Sequence, residues 1–146
     1  MKTVRLIFSI VICELVGIGG ALFTSPALSS AWYKSLEVPA FNPPSWVFSP
    51  VWITLYALMG VSLYLVWRYK ILFFVHLFLN GLWSVLFFGL QSPFYAFLDI
   101  VVLWVLILIL AIKFYKVKKI AGILLLPYLA WVSFASVLNY FIWVLN

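Results

Sequence analysis

Charged residues divide this chain into long apolar runs. No Asp, Glu, Lys or Arg occurs from Leu15 to Tyr33, Val38 to Trp67, Ile71 to Leu98, or Ile120 to Asn146. Each run accommodates a helix of about 20 residues, the length that crosses a hydrocarbon core. Transmembrane β-strands would show alternating segments of about 10 residues between polar turns, and these runs do not alternate. The pattern predicts five spans, Val4–Phe23, Trp46–Trp67, Ile71–Gly89, Phe94–Ile112 and Ile120–Val144. The predicted fold class is an all-α integral membrane protein, a five-transmembrane-helix bundle with a long structured first loop over residues 24–45, forming one domain over residues 1–146.

Charges and helix breakers mark the ends of the spans. Arg68 and Lys70 separate the second from the third, Gln91-Ser92-Pro93 the third from the fourth, and Lys113, Lys116, Lys118 and Lys119 the fourth from the fifth. Ser49-Pro50 reads as a helix start, with Ser as N-cap and Pro at the first helical position. Pro127 falls inside the fifth span. A kink is expected there, with the freed carbonyl satisfied by a neighbouring helix or side chain.

Composition agrees with the pattern. Of 146 residues, 68% are hydrophobic and 8% charged, against about 25% charged in soluble domains; mean hydropathy is +1.24. A soluble fold of this size could not hide that much apolar surface. Lys2 and Arg5 before an apolar run, with small residues near Ala27, also resemble a secretory signal peptide. Glu14 within the run, and four further spans that need a packing partner, favour a membrane helix.

Basic residues set the expected topology. With the N-terminus on one side, Lys2, Arg5, Arg68, Lys70, Lys113, Lys116, Lys118 and Lys119 share that side, and only Lys34 lies on the other. The bias predicts an inside N-terminus and an outside C-terminus. The net charge of +6 then belongs to one face, where it favours anionic lipid. No arginine-rich arm or RNA-binding motif points to nucleic acid.

Candidate chemistry is sparse. Cys13 and His76 are the only residues of their kinds, which argues against a disulfide, a CxxC site or a structural metal site. One His and three acids make hydrolytic chemistry improbable. Glu14, His76, Asn80, Asp99 and Asn139 are the main polar groups within the spans, and ionisable groups at that depth default to function. Glu14 lies near Gly17 and Gly20, whose spacing allows close helix approach. It reads either as a proton or cation carrier or as a protonated acid bonded to a neighbour. Asp99 reads as a hydrogen-bond tie between helices.

The aromatic content is 21%, with eight Trp. Indole N–H groups need partners away from water, so Trp at helical spacing suggests a lined cavity for a flat ligand. Trp52 and Tyr56 share a face, as do Asn80 and Trp83, and Trp131, Ala135 and Asn139. Trp67, Trp104 and Trp143 read as packing or interfacial anchors, Trp104 lacking a polar neighbour at helical spacing. The first loop holds Trp32, Tyr33, Leu36, Pro39, Phe41 and Pro43-Pro44. A connection this long and apolar reads as a lid on the bundle mouth, or alternatively as an aromatic belt at the interface.

The residues then resemble a known family. The run Trp32-Tyr33-x-x-Leu36-x-x-Pro39-x-Phe41-x-Pro43-Pro44-x-Trp46-Val47-Phe48-x-Pro50-Val51-Trp52-x-x-Leu55-Tyr56-x-x-Met59-Gly60 is similar to the signature of the translocator proteins. Bacterial members are called tryptophan-rich sensory proteins and animal ones peripheral benzodiazepine receptors. Asn80-x-x-Trp83, Phe87-Phe88-Gly89, Asp99, Pro127-Tyr128-Leu129-Ala130-Trp131, Phe134-Ala135 and Leu138-Asn139-Tyr140 extend the match in order along nearly the whole chain.

The resemblance implies a five-helix bundle, usually a homodimer, with a cavity near the first loop that binds porphyrins, haem precursors and synthetic isoquinoline or benzodiazepine ligands, and sterols in some members. By matching position, the ligand contacts are Tyr33, Pro43, Phe48, Trp52, Tyr56, Asn80, Trp83, Trp131, Ala135 and Leu138. No resident cofactor and no metal are expected. Trp52 and Trp131 occupy the positions associated with light-dependent porphyrin degradation in some bacterial members, and would be catalytic residues if that reaction occurs. Phe41 stands where Trp is usual. The sterol motif near the C-terminus is incomplete, with Val137 and Tyr140 but no basic residue after them, and does not support specific cholesterol binding.

Three functions follow as expectations: a receptor or sensory protein for tetrapyrroles, a light-dependent porphyrin-degrading enzyme, and a small proton-coupled exporter using Glu14.

Overall fold

The computed structural model describes all residues, Met1–Asn146; it is helical apart from its connections and contains no strand. Helix α1 spans Lys2–Leu28 and α2, a short loop helix, Ala31–Ser35. A 3₁₀ turn at Ser45–Val47 leads into α3, Phe48–Leu65, and another at Trp67–Tyr69 into α4, Lys70–Ser84, which widens into a π turn at Val85–Gly89. Helix α5 spans Pro93–Val117, α6 Lys119–Ile123 and α7 Leu126–Leu145. Five helical stretches are long and apolar enough to cross a membrane: Lys2–Leu28, Ser45–Leu65, Trp67–Gly89, Pro93–Val117 and Lys119–Leu145. The protein is an integral, multi-pass membrane protein.

Several boundaries differ from expectation, each for a local reason. Helix α1 runs five residues beyond Phe23 and carries Pro26 within it, so the true connection begins at Ser29. The second span starts at Ser45, not at the Ser49-Pro50 pair. Pro44, held extended at φ −57° and ψ 144°, caps the turn, and Ser49 caps nothing. Pro50 is tolerated because first-turn N–H groups lack intrahelical partners anyway. Helix α5 continues through Lys113 and Lys116 to Val117, their stems long enough to reach the interface. Ser92 caps α5 with Pro93 at its first position, after Gln91 turns the chain at φ 52°.

At Pro127 the helix breaks outright. It ends at Ile123, passes Leu124 and Leu125, and restarts at Leu126 with Pro127 in its first turn. Leu125 N–H turns to the Gly122 carbonyl, and the released Ala121 carbonyl accepts from Ser62 Oγ at 2.8 Å. A side chain of α3 thus satisfies the break, as a low-dielectric interior demands.

Helix α1 packs chiefly on α3 and α4, and α5 on α7, α6 and α4. At Gly60 the backbones of α1 and α3 come close, and an added Cβ would stand 2.5 Å from Ile10 Cα. Met59, Leu63, Phe73, Ile107, Phe114 and Tyr128 form the heart of the core, each fully buried. Outward, Leu22, Trp46 and Ile71 are more than 70% exposed, apolar surface suited to lipid rather than water. Lipid is as apolar as a leucine side chain, so dispersion and interhelical hydrogen bonds hold the bundle.

The ends of α1, α3, α4 and α5 meet at one face. Arg5 and Lys70 lie 5.5 and 5.6 Å from the Trp67 ring centroid, and Arg68 and Lys113 5.3 and 5.2 Å from that of Tyr69. Trp67 is an anchor for cations at this face. Trp143 packs on Phe97, ring centroids 5.7 Å apart. Trp104 is different from the expectation: its indole N–H reaches across to Ser133 Oγ on α7 at 2.8 Å. The partner comes from another helix, which spacing within α5 could not reveal.

Candidate ligand cavity

A cavity of about 370 Å³ opens between the helices at the end opposite the basic face. Nine of the ten residues singled out by sequence line it. Phe48, Trp52 and Tyr56 come from α3, Asn80 and Trp83 from α4, Trp131, Ala135 and Leu138 from α7, and Tyr33 from α2. Pro43 does not. Pro44 has polyproline-II dihedrals, φ −57° and ψ 144°, and at three residues per turn such a backbone brings residues three apart to one side, so Asn42 and Ser45 supply the wall there.

Eight aromatic residues stand on the wall. Trp52 lies 5.4 Å from Tyr56 and 6.4 Å from Tyr128, centroid to centroid. Phe48 meets Trp131 edge-on at 5.9 Å, and Trp83 stacks on Phe87 at 5.0 Å. Offset and edge-to-face pairs of this kind are favourable. Trp83 Nε1 donates to Asn139 Oδ1 at 2.8 Å, and Asn139 Nδ2 donates to the Pro93 carbonyl at 2.8 Å. Trp131 Nε1 is buried without a partner.

Below the cavity a chain of side chains enters the core. Tyr56 hydroxyl donates to Asn80 Oδ1, Asn80 Nδ2 donates to Tyr128 oxygen at 2.8 Å, and Tyr128 oxygen lies 3.0 Å from His76 Nε2. His76 Nδ1 stands 2.7 Å from the Phe73 carbonyl. Tyr128 and His76 are fully buried and do not line the cavity.

The first connection roofs the cavity. Trp32 packs edge-on to Phe87 at 6.0 Å, Tyr33 lies 6.0 Å from Phe88, and Phe41 meets Phe134 and Phe141 at 6.2 and 5.6 Å. Burial raises the Tyr33 hydroxyl above its ordinary pKa, with the Ser45 side chain opposing. Asn146 at the end of α7 clips the loop in place. Its Oδ1 accepts from Glu37 N–H at 3.0 Å and its Nδ2 donates to the Glu37 carbonyl at 2.8 Å.

Spacing within the second, third and fifth spans missed two walls. Helix α1 contributes Glu14, Gly17 and Gly20, and α5 contributes Ile100 and Leu103. Gly17 receives the Tyr56 ring, 2.5 Å from where a Cβ would stand, and Gly20 the Ser84 hydroxyl at 3.0 Å. The Glu14–Gly20 cluster was the available signal. Glu14 is the only carboxylate-bearing residue on the wall. Asp99 makes no interhelical tie: its Oδ2 is buried and unpartnered.

These features define a class: a five-helix membrane protein whose helices enclose an aromatic cavity beneath a structured loop. Residues 9–144 match the TspO/MBR family. The chain is 42% identical over 154 residues to the tryptophan-rich protein TspO of Archaeoglobus fulgidus, covering 100% of this chain and 99% of that one. It is 37% identical over 123 residues to the translocator protein of Homo sapiens, covering 77% and 73%. With the tryptophan-rich sensory protein of Cereibacter sphaeroides it shares 33% over 129 residues, covering 83% and 82%. The chain belongs to the TspO/MBR family, whose members include membrane sensory and translocator proteins.

Proposed function

We propose that this protein is a membrane receptor of sensory type that holds porphyrins, such as protoporphyrin IX and haem precursors, and other flat hydrophobic ligands in the cavity. The observation that carries the reading is the convergence of Trp52 and Trp131 on one cavity with Tyr56 and Asn80 beside them. Its volume falls in the range of about 300–1,000 Å³ usual for small-molecule sites, and its mostly apolar wall with a few polar groups has the usual composition. A macrocycle gains stacking on the indoles, and its polar edge meets the tyrosine and amide. The nine lining residues named from sequence are the contacts. The Asn146 clip suits a loop that lifts to admit ligand. The basic bias supports an inside N-terminus, and the functional unit is a homodimer.

Titration of purified protein with protoporphyrin IX, followed by tryptophan quenching, tests this. Saturable quenching is expected, weakened in Trp52→Phe and Trp131→Phe. Quenching that never saturates, or binding indifferent to both substitutions, rules the reading out.

The same pair of indoles favours a second reading, light-dependent degradation of bound porphyrin. Illumination should then bleach porphyrin to a defined product faster than in protein-free detergent. An equal rate removes that activity and leaves binding intact.

A further inference from the structure

The polar wall of the cavity belongs to a hydrogen-bond chain whose direction is set outside it. A backbone carbonyl only accepts, so at 2.7 Å from the Phe73 oxygen His76 Nδ1 must carry a proton. An imidazole buried with no anionic partner is neutral, and a neutral ring has one N–H. Nε2 is therefore a lone pair, and Tyr128 hydroxyl donates to it across 3.0 Å. With its proton spent, the Tyr128 oxygen accepts from the Asn80 amide at 2.8 Å. That orients the amide, turning Oδ1 to the Tyr56 hydroxyl, which donates to it. Reversing any link would reverse all of them, ending with two lone pairs facing each other at Phe73.

We infer that His76 is a positioning residue for the cavity: through Tyr128 it locks the Asn80 amide and draws the Tyr56 proton inward, so that Tyr56 meets a ligand only as a hydrogen-bond acceptor. Asn80 keeps one N–H uncommitted. The wall is thus complementary to a flat apolar molecule carrying a donor group, and would disfavour one that offers only acceptors to Tyr56. His76 is joined to Tyr56 only through Tyr128 and Asn80, and it is not among the residues that line the cavity. The ligand part of this inference rests on the receptor reading above; the direction of the chain does not.

Two measurements on the full-length protein in detergent test it. In the first, without ligand, ring-deuterated tyrosine is followed by the infrared C–O stretch, and the Tyr56 band is assigned by its loss in Tyr56→Phe. His76→Phe, which removes the acceptor, should shift that band. His76→Gln, which retains an oxygen to accept from Tyr128, should shift it less. An unmoved Tyr56 band in folded His76→Phe overturns the inference; if the Phe variant does not fold, Tyr128→Phe, which cuts the chain between His76 and Asn80, should shift the band, and an unmoved band there overturns it.

In the second, protoporphyrin IX is titrated into wild type, both single variants and the double variant. His76→Phe and Tyr56→Phe should each weaken binding about fivefold, the scale of one net hydrogen bond, and the double variant no more than either alone. Additive losses overturn the inference, since a general loosening of the core would act independently of Tyr56. If wild type takes up no protoporphyrin, the receptor reading fails, and the infrared measurement alone decides the role of His76.

Discussion

Trp83 on α4 and Asn139 on α7, 56 residues apart in sequence, are joined by an indole N–H to amide oxygen bond of 2.8 Å. The same amide donates to the Pro93 carbonyl at the start of α5. One asparagine therefore ties three helices around the cavity. Asn139→Leu leaves both the indole and the carbonyl unpaired, at about 1–3 kcal/mol for each buried group left unsatisfied. Trp83→Phe leaves only the asparagine oxygen. Thermal unfolding in detergent should rank Asn139→Leu below Trp83→Phe in stability; the reverse order contradicts the tie.

The helix break before Pro127 depends on Ser62. Ser62→Ala strips the Ala121 carbonyl of its donor in a fully buried site. The expected loss is about 1–3 kcal/mol, and faster hydrogen exchange is expected at Leu124 and Leu125. Exchange there at the wild-type rate speaks against the bond.

Glycines on α1 and α3 are not equivalent. Gly60→Ala drives a Cβ to 2.5 Å from the Ile10 backbone, whereas at Gly19 nothing lies within 4 Å. Overpacking of this kind costs about 1–3 kcal/mol, so Gly60→Ala should unfold well below wild type and Gly19→Ala close to it. Equal unfolding temperatures for the two would refute the α1–α3 contact.

Asn146→Ala removes both bonds to the Glu37 backbone. They are solvent-exposed, so stability should fall by about 1 kcal/mol or less. Exchange at Glu37 N–H should quicken, and bound porphyrin should leave faster if the loop gates the cavity. A variant with unaltered exchange at Glu37 excludes the clip.

Glu14→Gln should leave porphyrin affinity unchanged, since Glu14 has no hydrogen-bonded role among the wall residues described above. A proton-coupled exporter would instead lose its pH-gradient-driven transport in proteoliposomes. Wild-type transport that the substitution abolishes favours the exporter over the receptor.

Much of the cavity could be read along the chain because helical spacing is local. Trp52 and Tyr56, or Trp131 and Ala135, share a face whatever surrounds them. Partners across helices were not readable. Trp104 lacks a polar neighbour within α5 yet finds Ser133 on α7, while Asp99, expected to tie helices, finds none. Pro43, implied as a contact by resemblance, yields its place to Asn42 and Ser45, because the backbone there follows the three-residue period of polyproline II rather than that of a helix.

By itself, the order of residues determined that this chain lives in a membrane, how many times it can cross and which end collects the cations. Those follow from the cost of placing charge in hydrocarbon, which depends on composition run by run. Tertiary structure alone decided that α1 and α5 complete the cavity, that Ser62 rather than a backbone group answers the break at Ala121, and that a core carbonyl at Phe73 orients the Tyr56 hydroxyl. Each needs helices far apart in sequence to meet at hydrogen-bonding distance, and a pairing of that kind leaves no periodic trace in any one of them.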